Sequence, residues 1–314
     1  MRIYRNSTNM ENKYLVEIRC KTYNHEPYIR ACLEGFIKQE TNFPFIAIVH
    51  DDASTDGTAN IIREFATKYP EKILPLYENE NLWSKHDGSL QRVVEEASVG
   101  AKYIAICEGD DYWTDPYKLQ KQVDFMEAHP DFSICFHPVM VFNQLTGEMT
   151  SDTLKKVPSE TTIYDLAKEN YIHTPSVMYR YSKEVNDKYS HIGRVGVGDY
   201  LYHMLYAEQG KIKKLPDHMA VYRQGVGIWT GPNSNGNDNS FKWIIACSKL
   251  SALLDDSRAR HILDEQIYSD KNIMLDEYHA YEKQIQKILS SKAYRLGKLI
   301  LKPFNFLKRH IKSR

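Results

Sequence analysis

Residues Lys102–Trp113 read KYIAICEGDDYW, an apolar run broken by three carboxylates within four residues. A short apolar run bounded by a polar cluster predicts a buried strand whose tip reaches the edge of the sheet. Three like charges at one tip repel, and each needs water, a donor or a cation. The loop is therefore either an exposed acidic turn or a seat for something positive. Oxygen ligands from one or two carboxylates suit Mg2+ or Mn2+, with phosphate oxygens completing the shell. The carboxylates on offer are those of Glu108, Asp110 and Asp111, with Tyr112 and Trp113 an apolar floor.

Upstream of this loop the chain alternates strand-like and helix-like segments. YLVEIRC (14–20), PFIAIVH (44–50) and KILPLY (72–77) predict strands. Between them, PYIRACLEGFIKQ (27–39) carries Ile29, Leu33, Phe36 and Ile37 at helical spacing, and ANIIREFATKY (59–69) predicts a second helix. A helix near SLQRVVEEA (89–97) and another over 116–130 flank the acid-tipped strand. Such alternation predicts an α/β fold, a mostly parallel sheet with helices on both faces. In these sheets ligands bind beyond the carboxyl ends of the strands. Three polar clusters fall there: 21–26, 51–58 and 108–113.

The second half is more mixed. FSICFHPVMVFN (132–143), TPSVMYR (174–180) and KIKKLPDHMAVYR (211–223) predict strands, and GDYLYHMLYAEQG (198–210) a short helix closed by Gly210. TGPNSNGNDNS (230–240) predicts a mobile polar loop, and 241–289 a helical extension.

HDDASTDGT (50–58) has two readings. It is a strand-to-helix turn with capping side chains, or it offers Asp51 or Asp52 to the N–H of a nucleobase and the hydroxyls of a ribose.

Taken together and in order, KTYNHEPYI, HDDASTDGT and CEGDDYWTDPYKLQKQ resemble the inverting family 2 glycosyltransferases of GT-A (Rossmann-like) fold, over roughly 14–230. The resemblance implies a nucleotide-binding half over 14–128, an acceptor half over 129–230, and a nucleoside-diphosphate sugar as donor, with uridine the favoured base. It places Tyr23 and Asp52 at the base with Asp51 beside them. It makes Asp110 the metal ligand, with Glu108 facing the ribose and Asp111 assisting through water. Two departures stand out: Glu108 replaces the commoner Asp, and Lys21 stands where many relatives have Pro.

Inverting transfer needs a base for the attacking hydroxyl. Asp199 opens a helix after a glycine-rich approach; it is either an N-terminal helix residue or, as the resemblance favours, that base. In VYRQGVGIW (221–229), Arg223 is a candidate for the diphosphate or for a salt bridge, and Trp229 for a lid or a core aromatic. Gly225 stands where many relatives carry a His near the metal, which leaves a water or His218 to serve. YIHTPSVMYR (171–180) matches a segment of relatives on the acceptor side, with His173 and Thr174 as substrate contacts or as structural residues.

Composition excludes several classes. Hydrophobic residues make up 42% and charged ones 26%, ordinary for a globular protein. Five cysteines without C-x-x-C spacing argue against zinc or a disulfide framework, and no run reaches the roughly 18–20 apolar residues of a membrane span. With no apolar segment near residue 1, a cytoplasmic protein is expected. Residues 290–314 carry eight basic residues and no acid, against an acidic remainder. Apolar positions recur among them, so this tail reads as a docked helix or as an anchor on the inner face of the membrane, on anionic lipid. It is too apolar for a nucleic-acid tail. The expected activity is sugar transfer to a glycan acceptor, lipid-linked, in cell-surface polysaccharide synthesis. A nucleotidyltransferase is disfavoured because RCKTYNHEP lacks a glycine-rich phosphate loop. A catalytically silent binding module draws on Gly225 alone.

Overall fold

The computed structural model describes residues 13–152, 156–190, 192, 196–231 and 236–291. In chain order these form β1 (Val16–Thr22), α1 (Ile29–Ile37), β2 (Phe45–Asp51), α2 (Thr58–Lys68), β3 (Ile73–Tyr77), α3 (Ser89–Glu96), β4 (Tyr103–Ile106), β5 (Tyr112–Trp113) and α4 (Lys118–Ala128). There follow β6 (Phe132–Phe136), β7 (Met140–Asn143), β8 (Met149–Ser151), β9 (Glu160–Thr161), α5 (Ile163–Leu166), β10 (Met178–Arg180), α6 (Lys183–Ser190) and α7 (Gly198–Ala207). The last are β11 (Lys211–Lys214), β12 (Ala220–Gln224), α8 (Gly227–Thr230), α9 (Gly236–Leu253) and α10 (Ser257–Ser290).

The main sheet has the order β3-β2-β1-β4-β10-β6-β11-β9. Its first four strands run parallel, and β10 enters antiparallel between β4 and β6. This is the mostly parallel α/β sheet expected from the alternation of segments.

β1 shows why helices cover both faces. A strand turns successive side chains to opposite sides. Val16, Ile18 and Cys20 join one core cluster with Ile29, Leu33 and Phe36 of α1, Ile62 and Phe65 of α2, and Leu119 and Met126 of α4. The Sγ atoms of Cys20, Cys32 and Cys107 lie in that core, 4.0 Å apart in sequence along the cluster. The intervening residues Glu17 and Arg19 are also buried. Arg19 Nε donates to Glu17 Oε1 at 2.6 Å, and its guanidinium reaches Glu95 of α3 and Asn186 of α6. Removing one partner of a buried ion pair is costly, so its remaining groups need donors and acceptors. Ser98 Oγ and the Val99 N–H donate to Glu17 Oε2, while Arg19 Nη2 is buried without a hydrogen-bond partner.

Two segments expected as single strands are each divided. FSICFHPVMVFN becomes β6 in the main sheet and β7 in a second sheet of order β5-β12-β7-β8; KIKKLPDHMAVYR becomes β11 and β12 in the same way. Pro138 and Pro216 lie at the two breaks, and proline cannot donate to a ladder. Each half pairs parallel with its counterpart, β11 on β6 and β12 on β7, so two strands cross together from one sheet to the other.

The expected loop over 230–240 is also corrected: helix α9 already begins at Gly236, and 232–235 lie outside the described residues. α9 is part of the main unit, where Trp243 stacks on Tyr200 at 4.5 Å and Ala246, Cys247 and Leu250 are buried. The chain divides into two compact units after Glu265, within α10, so the expected extension over 241–289 straddles the division. Of the basic tail, 292–314 lie outside the described residues.

Candidate active site

The carboxyl ends of β1 and β2 are level, with Thr22 paired to Asp51. The loop after β4 continues alongside β1, where the Gly109 N–H donates to Lys21 O at 3.0 Å. Gly109 permits that approach: a Cβ there would stand 2.7 Å from Thr22 Oγ1 and 3.0 Å from His25 Nδ1. All three polar clusters therefore meet at one sheet edge.

The first two clusters are laced together. The Asn24 N–H donates to Ser54 Oγ, the Thr55 N–H to Asn24 Oδ1, and the Gly57 N–H to Glu26 Oε2, each at 2.8 Å. Tyr23 stands at the mouth, 43% exposed. Asp51 is buried and takes the Ser54 hydroxyl and N–H; burial raises its carboxyl pKa, and the Ser54 bonds pull it partly back. Asp52 is also buried, accepting the N–H of Leu82 at 2.7 Å and of Trp83 at 2.9 Å. These two carboxylates fasten the loops that line the mouth, and each keeps lone pairs for a further donor.

The three acids of the tip have separate surroundings. Asp111 is buried, and its Oδ1 accepts the backbone N–H of Arg223 at 2.8 Å, tying β12 to the loop. Burial, then the charge of Asp110, lifts its carboxyl pKa well above the usual range. Glu108 turns the other way and pairs with Lys21 Nζ at 3.2 Å. Asp110 faces His25, whose Nε2 lies 4.0 Å from Asp110 Oδ2. Gly227, at φ +71°, comes close enough that a Cβ would be 3.2 Å from the same oxygen. Among the described residues no three His, Cys, Asp or Glu side chains form a metal cage. One carboxylate and one imidazole, with His25 Nδ1 buried and unpartnered, still fit a divalent cation that takes its other oxygens from a diphosphate and water.

Across the opening, Asp199 lies in the first turn of α7, and Thr174 Oγ1 donates to its Oδ2 at 3.5 Å. The strand parity of β1 turns Lys21 to the same face as Glu17 and Arg19, the face of α6 and α7. There it lies within the electrostatic reach of Tyr189 and Asp199. The structure thus gathers Lys21, Glu108, Tyr189, Asp199 and Thr174. Sequence reading noted Lys21 only as a departure, and quoted His25 without assigning it; strand parity was the available signal for the first.

Other candidates fall elsewhere. The Arg223 guanidinium packs over the rings of Tyr112 at 4.9 Å and Tyr28 at 5.2 Å, with Nη1 donating to Gln144 Oε1 at 3.4 Å. It forms no salt bridge among the described residues, and its Nε is buried without a hydrogen-bond partner. His218 bonds to Ser151 Oγ at 3.0 Å, at the end of β12 away from Asp111, which corrects its role as a substitute metal ligand. His173 pairs with Asp152 at 3.3 Å and packs on Tyr222. Gly225 adopts φ +88°, a conformation that favours glycine. The side chain of Trp229 lies outside the described residues.

Residues 20–190 match the family model for glycosyl transferase family 2. An uncharacterised protein of Mycobacterium tuberculosis is 39% identical over 209 residues, 66% of this chain and 58% of its own length; the chain thus spans under two thirds of that relative. A putative teichuronic acid biosynthesis glycosyltransferase of Bacillus subtilis, TuaG, is 32% identical over 167 residues, 53% of this chain and 62% of its own. Among solved structures, Staphylococcus aureus TarS (residues 1–349, in complex with UDP-GlcNAc) superposes with a TM-score of 0.58 at 20% identity, covering 80% of this chain and 70% of that one.

Proposed function

The chain belongs to glycosyl transferase family 2, and on that footing we propose that it moves a sugar, with inversion, from a nucleoside-diphosphate sugar to a hydroxyl of a cell-surface glycan acceptor, lipid-linked. One observation supports the reading: Lys21, at the carboxyl end of β1, pairs with Glu108 of the acid-tipped loop and also lies within the electrostatic reach of Asp199.

In this reading Tyr23 packs on the base, favoured as uracil. Glu108 accepts from the ribose hydroxyls, and Asp51 and Asp52 hold the surrounding loops. Asp110, with His25 beside it, would hold Mn2+ or Mg2+. Such a cation neutralises charge on the departing diphosphate. Asp199 takes the proton of the acceptor hydroxyl as that oxygen bonds to the anomeric carbon and the carbon–phosphate oxygen bond breaks on the opposite face. Thr174 occupies one Asp199 oxygen and so leaves the other for the acceptor. The left-handed backbone at Gly225 suits its glycine; the silent module still draws on the absent histidine there. Among the described residues no helix is long and apolar enough to cross a membrane; contact with anionic lipid is assigned to 290–314 on sequence grounds.

The test is donor hydrolysis without acceptor. Slow, metal-stimulated release of nucleoside diphosphate, lost in Asp110→Ala, supports the transferase. Binding without turnover across varied acceptors marks a module, and pyrophosphate release from a nucleoside triphosphate marks a nucleotidyltransferase.

A further inference from the structure

Two of the positions that depart from the family pattern, Lys21 and Glu108, meet in one ion pair, Lys21 Nζ to Glu108 Oε1 at 3.2 Å. We propose that Lys21 is a positioning residue for the donor: it aims the longer carboxylate of Glu108 at the ribose hydroxyls. The proposal rests on the donor reading above and extends it to Lys21, to which that reading gives no chemical task.

The geometry accounts for both departures together. A glutamate is one methylene longer than an aspartate, and an unrestrained carboxylate on that stem samples several rotamers. Lys21 holds one oxygen and leaves Oε2 for a ligand. Neither group is lost in the interior or free in solvent: Lys21 is 31% exposed and Glu108 29%. The cation comes from the last turn of the pleat in β1, on the face already used by Glu17 and Arg19. Those two are committed to each other and to Glu95, so Lys21 is the cation of that row left for Glu108. Its ammonium is held charged: burial alone would lower its pKa, but Glu108 raises it above the usual range. A proline at this position has no charge to offer, and a shorter aspartate would not need one.

Ribose recognition gives a readout that a merely structural role would not move. UDP, GDP and their 2′-deoxy counterparts are titrated calorimetrically against the full chain, and donor KM and kcat are measured alongside. The wild type is expected to prefer the ribose form of its diphosphate by about tenfold, the order of one hydrogen bond to a charged group. Lys21→Met and Glu108→Gln should each erase most of that preference, and together no further, because both break one interaction. The loss in Lys21→Met should fall on donor KM more than on kcat, and Lys21→Arg should restore it. Should Lys21→Met prove unstable, Lys21→Gln repeats the comparison. Full ribose preference in the lysine variants, or additive losses in the double variant, overturns the proposal. A wild type that binds neither diphosphate overturns the donor reading itself.

Discussion

Lys118 offers the sharpest quantitative prediction. It opens α4 directly beneath the acidic loop, is fully buried, donates from Nζ to Gln122 Oε1 at 2.7 Å, and sits 4.2 Å from the centre of the Trp113 ring. Burial pushes its pKa down from 10.5 to about 7, against the smaller opposing effect of Cys107 and Cys135. Between those two values the unfolded chain binds a proton that the folded chain does not, so stability rises with pH across that window. With one pKa unit equivalent to about 1.4 kcal/mol, Lys118 costs about 4 kcal/mol at pH 7, about 2 kcal/mol at pH 9, and nothing above the unfolded value. Lys118→Met removes this cost but leaves Gln122 Oε1 without its donor, a loss of about 1–3 kcal/mol that does not vary with pH. The variant should therefore be more stable than the wild type at pH 7 by about 1–3 kcal/mol. That advantage should shrink by about 2 kcal/mol at pH 9. Urea unfolding followed by tryptophan fluorescence at the two pH values, at constant ionic strength, measures the difference. If the gap between variant and wild type is the same at both, the lysine is charged in the folded core and the reasoning fails.

Further outcomes follow from the site. Asp199→Asn should lower kcat by about 10²–10⁴-fold while donor KM stays near that of the wild type; equal loss in both would move Asp199 to the donor side. Asp111→Asn preserves an acceptor for the Arg223 N–H and should change metal affinity little, and at neutral pH it should raise stability because the buried carboxylate no longer carries a charge. Asp111→Ala, which also loses that acceptor, should be less stable than Asp111→Asn by about 1–3 kcal/mol in urea unfolding. A large fall in Mn2+ affinity in the Asn variant would restore Asp111 as a ligand. Deleting 292–314 should reduce sedimentation with anionic liposomes while turnover of soluble donor persists; undiminished sedimentation removes the anchor.

The first half of the fold was legible because its strands are apolar, its helices periodic and its turns rich in Asp, Ser, Thr and Gly. The second half was legible in its helix over 198–210, which is α7, but not in where its strands break. A run such as FSICFHPVMVFN keeps strand character on both sides of Pro138, and only the tertiary pairing assigns its halves to different sheets. TPSVMYR begins as a 3-10 turn over Thr174–Ser176 because Pro175 denies the ladder a donor. The acid tip could be placed at the carboxyl end of the sheet, but not the surroundings of each acid. Asp111 and Glu108 differ through their partners, Arg223 and Lys21, which lie 112 and 87 positions away in the chain. The surroundings of Arg223 were hidden for the same reason: the aromatic rings around its guanidinium come from three separate segments.

The trio of thiols in the first core has a practical consequence. Cys20, Cys32 and Cys107 come from β1, α1 and the end of β4, the layers that carry the three loops. Burial raises the pKa of Cys32 and lifts that of Cys107 to about 11, so these sulfurs resist alkylation twice over, by access and by protonation. Their rate of labelling by a small electrophile is then a native clock for the parting of strand from helix at the donor edge. Mapped against Cys247 in α9, it tells without any added probe which end of the main unit opens first, and whether a bound nucleotide slows it.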